Sequence, residues 1–323
     1  SQRNMQYFKK YIKKNIIINK FLFKNLFKNY FEKKIHMLGL SHILSIRKNY
    51  SEISNLGNVD YKIFSQNGED GIIDFLLNRL NIQNPKFLEI GVGDYKESNT
   101  RYIFMKSPNK GMIIDNIANL KQKVSRHVKL WKGDLTIIEK TVTSANIYNI
   151  LKMNNFEKNL DLFSLDIDGI DYWVIKELPD NLSKIIITEY NAIFGANLEV
   201  TVPNINNFDR TKYHYSNLCY GMSLRAIINL MKTKNYTFIG ANKACNNAFF
   251  VHENEVEKLN INLPDLNSLD IYTQSNILES RSDSGKLTFL SGEQKLKAIS
   301  DCKVINLNSK SEDPVLIRDL FNI

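Results

Sequence analysis

The chain has 323 residues, of which 43% are hydrophobic and 24% charged, and it carries a formal charge of +9. That balance excludes a disordered or fibrous polypeptide and fits one large α/β domain with extensions, or two small domains. Cys219, Cys245 and Cys302 form no CxxC or other metal-ligand spacing and their odd number gives no disulfide framework, so a reducing cytoplasm is the expected compartment.

The charge is unevenly placed. Residues 1–50 hold twelve Lys or Arg and one acid, a net +11, so the other residues sum to −2. Within this leader, YFKKYIKKNIIINKFLFKNLFKNYFEKK mixes lysine with aromatic and aliphatic residues at roughly helical intervals. Lysine recurs too often for the apolar run of about 20 residues that a membrane helix needs. The expectation is a basic amphipathic extension over residues 1–60. It either packs on its own domain or a second copy of the chain, or lies on an anionic surface at the inner face of the membrane, with nucleic acid not expected as a partner.

From residue 65 helices and buried strands alternate. SQNGEDGIIDFLLNRL sets Ile72, Ile73, Leu76, Leu77 and Leu80 on one helical face, with Ser65 or Asn67 as caps. KFLEI then runs into the turn GVGD and a helix near SNTRYIFM. Further strands are expected at GMIID, HVKLWKGD (127–134), DLFSLDID and KIIITEYN (184–191), separated by helices. This order predicts a doubly wound parallel sheet, with ligands at the carboxyl ends of its strands.

Acids mark those ends. Lys96 stands where a dinucleotide-binding GxGxxG needs its last glycine, so a nucleoside without a pyrophosphate fits better. Gly91 and Gly93 let the backbone approach it. Asp115, 24 residues after Gly91, is placed to accept hydrogen bonds from both ribose hydroxyls. Asp134, taken to close the third strand, would accept from an adenine amino group, and Glu89 would hold a cationic amino-acid tail. Gln66 and Glu69 either reach over this ligand or cap their helix.

LFSLDIDGIDYWVIKEL carries Asp166, Asp168 and Asp171 at the end of an apolar run, where ionised carboxylates need partners or solvent. A phosphoaspartate phosphatase uses a similar hhhhDxDG, but after its first core strand rather than its fourth. A metal-dependent nucleotide-sugar transferase would use Asp166 and Asp168 to hold a divalent ion on a diphosphate. Asp171, at the start of the next helix, suits a capping role.

Together, E-x-G-x-G at 89–93, Asp115 and Gly133-Asp134 resemble the S-adenosylmethionine site of class I methyltransferases. SQNGEDGII, FLEIGVGDYKESNT, SLDIDGIDYW, ITEYNAIFG and GMSLRAIINLMKTKNYTFIGANKACNNAFFV resemble, over residues 64–252, the FkbM-like methyltransferases of bacterial surface-polysaccharide clusters. The resemblance implies a Rossmann-like methyltransferase domain over residues 61–256, with a sixth strand and an antiparallel seventh at YTFIGA and NAFFVH. Residues 257–323 are expected as an irregular C-terminal extension that packs back on the domain or makes a homo-oligomer contact. The implied activity is O-methylation of a sugar or sugar-nucleotide hydroxyl; a donor-binding module without activity is the remaining alternative.

In that setting Asp166 and Asp168 would bind Mg²⁺ or supply a general base. Glu189 and Asn191 follow the fifth strand and would face the acceptor. The polar, aromatic loop FGANLEVTVPNINNFDRTKYHYSNLCYG would carry specificity. Its His214 is the candidate base or metal ligand, and Asp209, Tyr213 and Tyr215 are expected to form a sugar-binding wall.

Overall fold

In the computed structural model, which describes residues 33–321, the apolar runs form a seven-stranded sheet. Its strands are β1 (Lys86–Ile90), β2 (Lys110–Asp115), β3 (Asp134–Glu139), β4 (Leu160–Leu165), β5 (Ser183–Glu189), β7 (Tyr236–Ala241) and β8 (Asn247–His252); the two-residue β6 (Val200–Thr201) lies outside it. The order is β3-β2-β1-β4-β5-β8-β7. Neighbouring strands from β3 to β5 pair in parallel, and β8 runs antiparallel to both β5 and β7. This strand order and the reversed β8 are those of the Rossmann-like class I methyltransferase fold, as the motif order implied.

The central strands are apolar throughout because helices cover both sheet faces. Successive side chains alternate between two cores. Leu88, Met112, Phe163 and Ile186 enter one; Phe87, Ile113, Leu162 and Ile185 enter the other. The helix Glu69–Arg79 buries Ile72, Ile73, Leu76 and Leu77 as its periodicity predicts.

Residues 33–46 are helical and continue into a 3₁₀ turn, Arg47–Glu52. This segment is tied to the domain at Asp74, a buried carboxylate that pairs with Arg47, with Lys106 Nζ at 2.9 Å, and with the hydroxyl of Tyr50 at 3.0 Å. Burial opposes that charge, but the two cations outweigh it and hold the Asp74 pKa below its ordinary value. Residues 1–32, which include most of the basic leader, lie outside the described residues. No described helix is long and apolar enough to cross a membrane.

The tail is mostly irregular but adds β9 (Lys303–Asn306) and β10 (Val315–Leu316) to a small sheet of order β10-β9-β6. Val200 and Thr201 of β6 pair antiparallel with Asn306 and Ile305. The loop that follows β5 is thereby joined to the end of the chain.

Candidate active site

The sheet order reverses between β1 and β4, so the connections that leave the carboxyl ends of these two paired strands run in opposite directions and leave a crevice above them, the usual ligand position in such sheets. Here it is a cavity of about 690 Å³ lined by the turn after β1, the end of β2, the DIDG turn, Glu189 and part of the C-terminal tail. The two strand ends are in close contact beneath it. Gly91 has φ +86°, and a Cβ on it would fall 1.5 Å from the carbonyl oxygen of Asp166. Only glycine fits there.

Gly93, at φ +56°, turns its N–H towards Asp115 and donates to Oδ2 at 2.8 Å, while Oδ1 accepts from Ile117 N at 3.0 Å. The Asp115 carboxylate is thus fixed by backbone donors at the cavity edge with acceptor capacity left over. Glu89 lines the cavity but is fully engaged: Ser98 Oγ donates to it at 2.6 Å and the N–H groups of Asn99 and Thr100 donate at 2.9 Å each. It organises the turn after β1. Burial still raises its pKa above the ordinary carboxylate value, against these hydrogen bonds.

Gln66 and Glu69 also line the cavity. Glu69 Oε1 accepts from the side-chain amides of Asn242 and Asn247, each at 2.7 Å, and Oε2 accepts from Asn67 N at 2.9 Å. It therefore locks the β7–β8 hairpin to the SQNGED segment. Its neighbour Asp70 accepts from the backbone N–H groups of Ile63, Phe64 and Ser65, which explains the second acid of the motif as a loop anchor.

The acidic centre lies opposite Asp115. One oxygen each of Asp166, Asp168 and Glu189 lie within 4.8 Å of one another. Glu189 is buried and its Oε2 has no hydrogen-bond partner. Burial and the carboxylate of Asp168 push Asp166 well above the usual carboxylate range; burial and Asp166 do the same to Glu189. Asp168 holds φ +53° and pairs with Arg210 Nη1 at 2.9 Å, and Arg210 Nη2 continues to Glu279 at 3.5 Å. Asp171 is not part of this centre. Its carboxylate accepts from Ile167 N and Gly169 N, both at 3.0 Å, and shapes the turn that presents Asp166 and Asp168; burial raises its pKa to about 6.

Several expected positions lie elsewhere. Asp134 opens β3 instead of closing the preceding segment: it is opposite Lys110, at the amino edge of the sheet, 3.8 Å from that lysine's Nζ. It cannot contact a ligand in the crevice. The third strand is DLTIIE, and Lys140, Thr141 and Val142 after it line the cavity. His214, Tyr213, Tyr215 and Asp209 do not line the cavity either. Asp209 caps the short helix Arg210–Tyr213 by accepting from Thr211 N at 3.0 Å, and Tyr213 donates to Lys303 O at 2.6 Å. Tyr215 is half exposed and its ring lies against that of His214. Asn191 donates to Leu218 O and Tyr220 O and accepts from Ile193 N, so its amide secures the loop after β5.

That loop does reach the cavity, through other residues. Phe208, Arg210 and Tyr220 line it, joined by Ile277 and Glu279 from the tail and Asn246 from the β7–β8 turn. Arg210 lies beside the Asp209 singled out from sequence, and its guanidinium stands 5.1 Å from the Tyr220 ring centroid. An arginine among aromatics in a loop that follows an acidic strand end was the available signal. Nothing local marks Ile277 or Glu279.

No protein-family model matches the chain, and no curated protein does. Among solved structures, it is similar to an S-adenosylmethionine-dependent methyltransferase from Clostridium acetobutylicum, at 11% identity over 57% of this chain and 90% of that one, with a TM-score of 0.36. It is also similar to an O-methyltransferase family protein from Burkholderia thailandensis, at 10% identity over 57% of each chain, with a TM-score of 0.34. A third similar structure is LepI in complex with S-adenosylmethionine, at 10% identity and a TM-score of 0.32; the match takes in 55% of this chain and 46% of that one. The strand order, not these likenesses, assigns the fold.

Proposed function

We propose that this protein is an S-adenosylmethionine-dependent O-methyltransferase whose acceptor is a sugar or sugar-nucleotide hydroxyl. The observation that carries the reading is the single crevice that joins a backbone-anchored Asp115 and the Gly91–Gly93 turn to the carboxylates of Asp166, Asp168 and Glu189. Asp115 accepts hydrogen bonds from the donor's ribose hydroxyls. The glycine turn admits the methionine portion close to the main chain, with Gln66 at its rim. Glu89 and Glu69 hold the walls of this part of the cavity in place rather than meeting the ligand themselves.

The acceptor lies between the DIDG turn and the loop bearing Phe208, Arg210 and Tyr220. An acceptor oxygen attacks the methyl carbon as the carbon–sulfur bond breaks, and the hydroxyl proton passes to Asp166 or Glu189. Their raised pKa values suit a carboxylate that must take and later release a proton. Correct placement of the oxygen in line with the sulfonium contributes at least as much as base strength. The three acids, one with an unpartnered buried oxygen, also suit a hard divalent cation such as Mg²⁺. When bound, such an ion would lower the pKa of a coordinated hydroxyl.

The sugar class and its place in surface-glycan assembly rest on the FkbM-like motifs, in keeping with a cavity rich in carboxylates and amides. A metal-dependent nucleotide-sugar transferase would call on the same Asp166 and Asp168. Asp115, at the carboxyl end of β2 next to the switch point and with acceptor capacity to spare for a ribose, favours the methyl donor. The test is turnover of methyl-labelled S-adenosylmethionine with a panel of sugar nucleotides and oligosaccharides, following label and S-adenosylhomocysteine together. Labelled acceptor formed in step with S-adenosylhomocysteine supports the proposal; sugar transfer from a nucleotide sugar without methylation rejects it.

A further inference from the structure

A surface helix normally turns apolar residues inward and charged residues outward. The helix over residues 33–46 is apolar on both sides. On the inner side Gly39 and Ile43 are buried, and a Cβ on Gly39 would stand only 2.7 Å from the carbonyl oxygen of Lys62. The His36 and His42 rings lie 4.5 Å and 4.1 Å, centroid to centroid, from those of Phe64 and Tyr61. On the outer side Met37, Leu40 and Leu44 recur at the i, i+3, i+7 spacing of one helical face, with Leu38 beside them. Met37 is 70% exposed, Leu38 66% and Leu44 50%. A run of large apolar side chains turned outward in this way marks an interaction surface.

The charge around this helix narrows the choice of partner. Residues 1–32, which lead directly into it, hold eight Lys or Arg and one acid, a net +7, among Phe, Tyr, Ile and Leu. No acid follows from Lys33 to Ser51. Residues 51–323 sum to only −2, so the chain's own domain has no net excess of acid to match the leader. A second copy would bring the same basic segment and repel it. Nucleic acid would neutralise the lysines but offers nothing to outward methionine and leucine side chains. An anionic bilayer meets both needs, taking aliphatic side chains into the boundary of its acyl region and lysines at its headgroups.

We propose that the outer face of helix 33–46, together with the basic residues that precede it, docks the protein on the surface of a membrane containing anionic lipid. The helix lies on the bilayer and does not cross it: no described helix is long and apolar enough to do so. Two weak signals, an apolar face and a polybasic segment, act together, as stable peripheral anchoring requires. The contact of Gly39 with Lys62 and the pairing of Arg47 with buried Asp74 fix the helix to the domain, so docking carries the crevice to the membrane with it. Lys62 Nζ also donates to Gln66 O at 3.1 Å, and Gln66 lines the cavity, so the helix and the cavity rim share one loop.

The test is sedimentation of the full-length protein with vesicles of phosphatidylcholine alone and of phosphatidylcholine mixed with phosphatidylglycerol. Binding to the mixed vesicles is expected to be at least about tenfold tighter and to weaken as salt is added. Changing Lys9, Lys10, Lys13 and Lys14 together to Gln should lower it at least about tenfold. A second variant, Met37→Ser with Leu38→Ser and Leu44→Ser, should also lower it at least about tenfold. Because those three side chains are exposed, this variant is expected to keep the wild-type circular dichroism. Failure of the wild type to bind the mixed vesicles overturns the proposal. So does binding that the serine variant leaves unchanged, which would place the leader alone on the lipid. A wild-type dimer that the serine variant converts to monomer, with vesicle binding unaltered, would assign the face to a second copy instead. S-adenosylhomocysteine binding does not enter these readouts, so failure here leaves the methyltransferase reading untouched.

Discussion

Gly91 lies directly beneath the main chain of Asp166: a Cβ at position 91 would stand 1.5 Å from the Asp166 carbonyl oxygen. The turn that would receive the donor and the turn that carries the acids are therefore built against each other. Asp166 N also donates to Ile90 O at 3.0 Å, which extends the β1–β4 pairing by one step into the site. Displacement of either turn moves both halves of the crevice.

Gly91→Ala is expected to destabilise the protein by at least about 3 kcal/mol, because the left-handed backbone and the backbone clash both oppose a side chain. Urea unfolding followed by circular dichroism measures this. Gly93, whose Cβ would meet nothing within 4 Å, is the control: Gly93→Ala faces only the positive-φ cost, about 1–2 kcal/mol.

Asp115→Ala should leave the fold intact and weaken donor binding on the order of tenfold or more, about 1.4 kcal/mol per factor of ten. Titration of the variant with S-adenosylhomocysteine gives the number. Unchanged affinity would remove the ribose assignment.

Asp166→Asn is expected to lower turnover on the order of 100-fold or more, with S-adenosylhomocysteine affinity close to that of the wild type. If Asp166 acts through a divalent ion, a chelator will lower the wild-type rate and added Mg²⁺ will restore it. Full activity in the variant would show that the acidic turn is structural.

The acidic centre also sets a pH dependence. Burial and mutual repulsion raise Asp166 and Glu189 above their ordinary values, so below their folded pKa values the native state binds more protons than the unfolded chain. Their contribution to stability is fully present below an unfolded pKa of about 4 and is lost as pH rises through the folded values. Glu189→Gln removes one of these charges and should melt at a higher temperature than wild type in chelator at about pH 8, the difference shrinking towards about pH 4. Thermal melts across that range check the sign; a variant less stable at the alkaline end contradicts it.

Strand-end acids on continuous apolar runs were readable from the sequence because the central strands are buried on both faces and leave little else for those runs to be. β3 was displaced by about one strand length because it is the edge strand: its residues are half exposed, and DLTIIE is less apolar than the central runs, whereas HVKLWKGD mimics a strand. Asp134 was misplaced with it. Glu89 and Asn191 were correctly located on their strand ends, but whether a carboxylate or amide faces a ligand or the protein's own backbone depends on neighbours that no local pattern specifies. The same holds for His214, whose surroundings are completed by a tail segment nearly 90 residues away. Asp166, Asp168 and Glu189 were recoverable because parallel neighbouring strands bring their ends together by rule.

The most direct test of the account is calorimetric titration of the purified protein with S-adenosylmethionine and S-adenosylhomocysteine, set beside UDP-sugars, each with and without Mg²⁺. Saturable binding of both adenosyl compounds, independent of any sugar nucleotide, is the predicted result. Binding of a UDP-sugar only, and only with Mg²⁺, would contradict it and assign Asp166 and Asp168 to a sugar transferase.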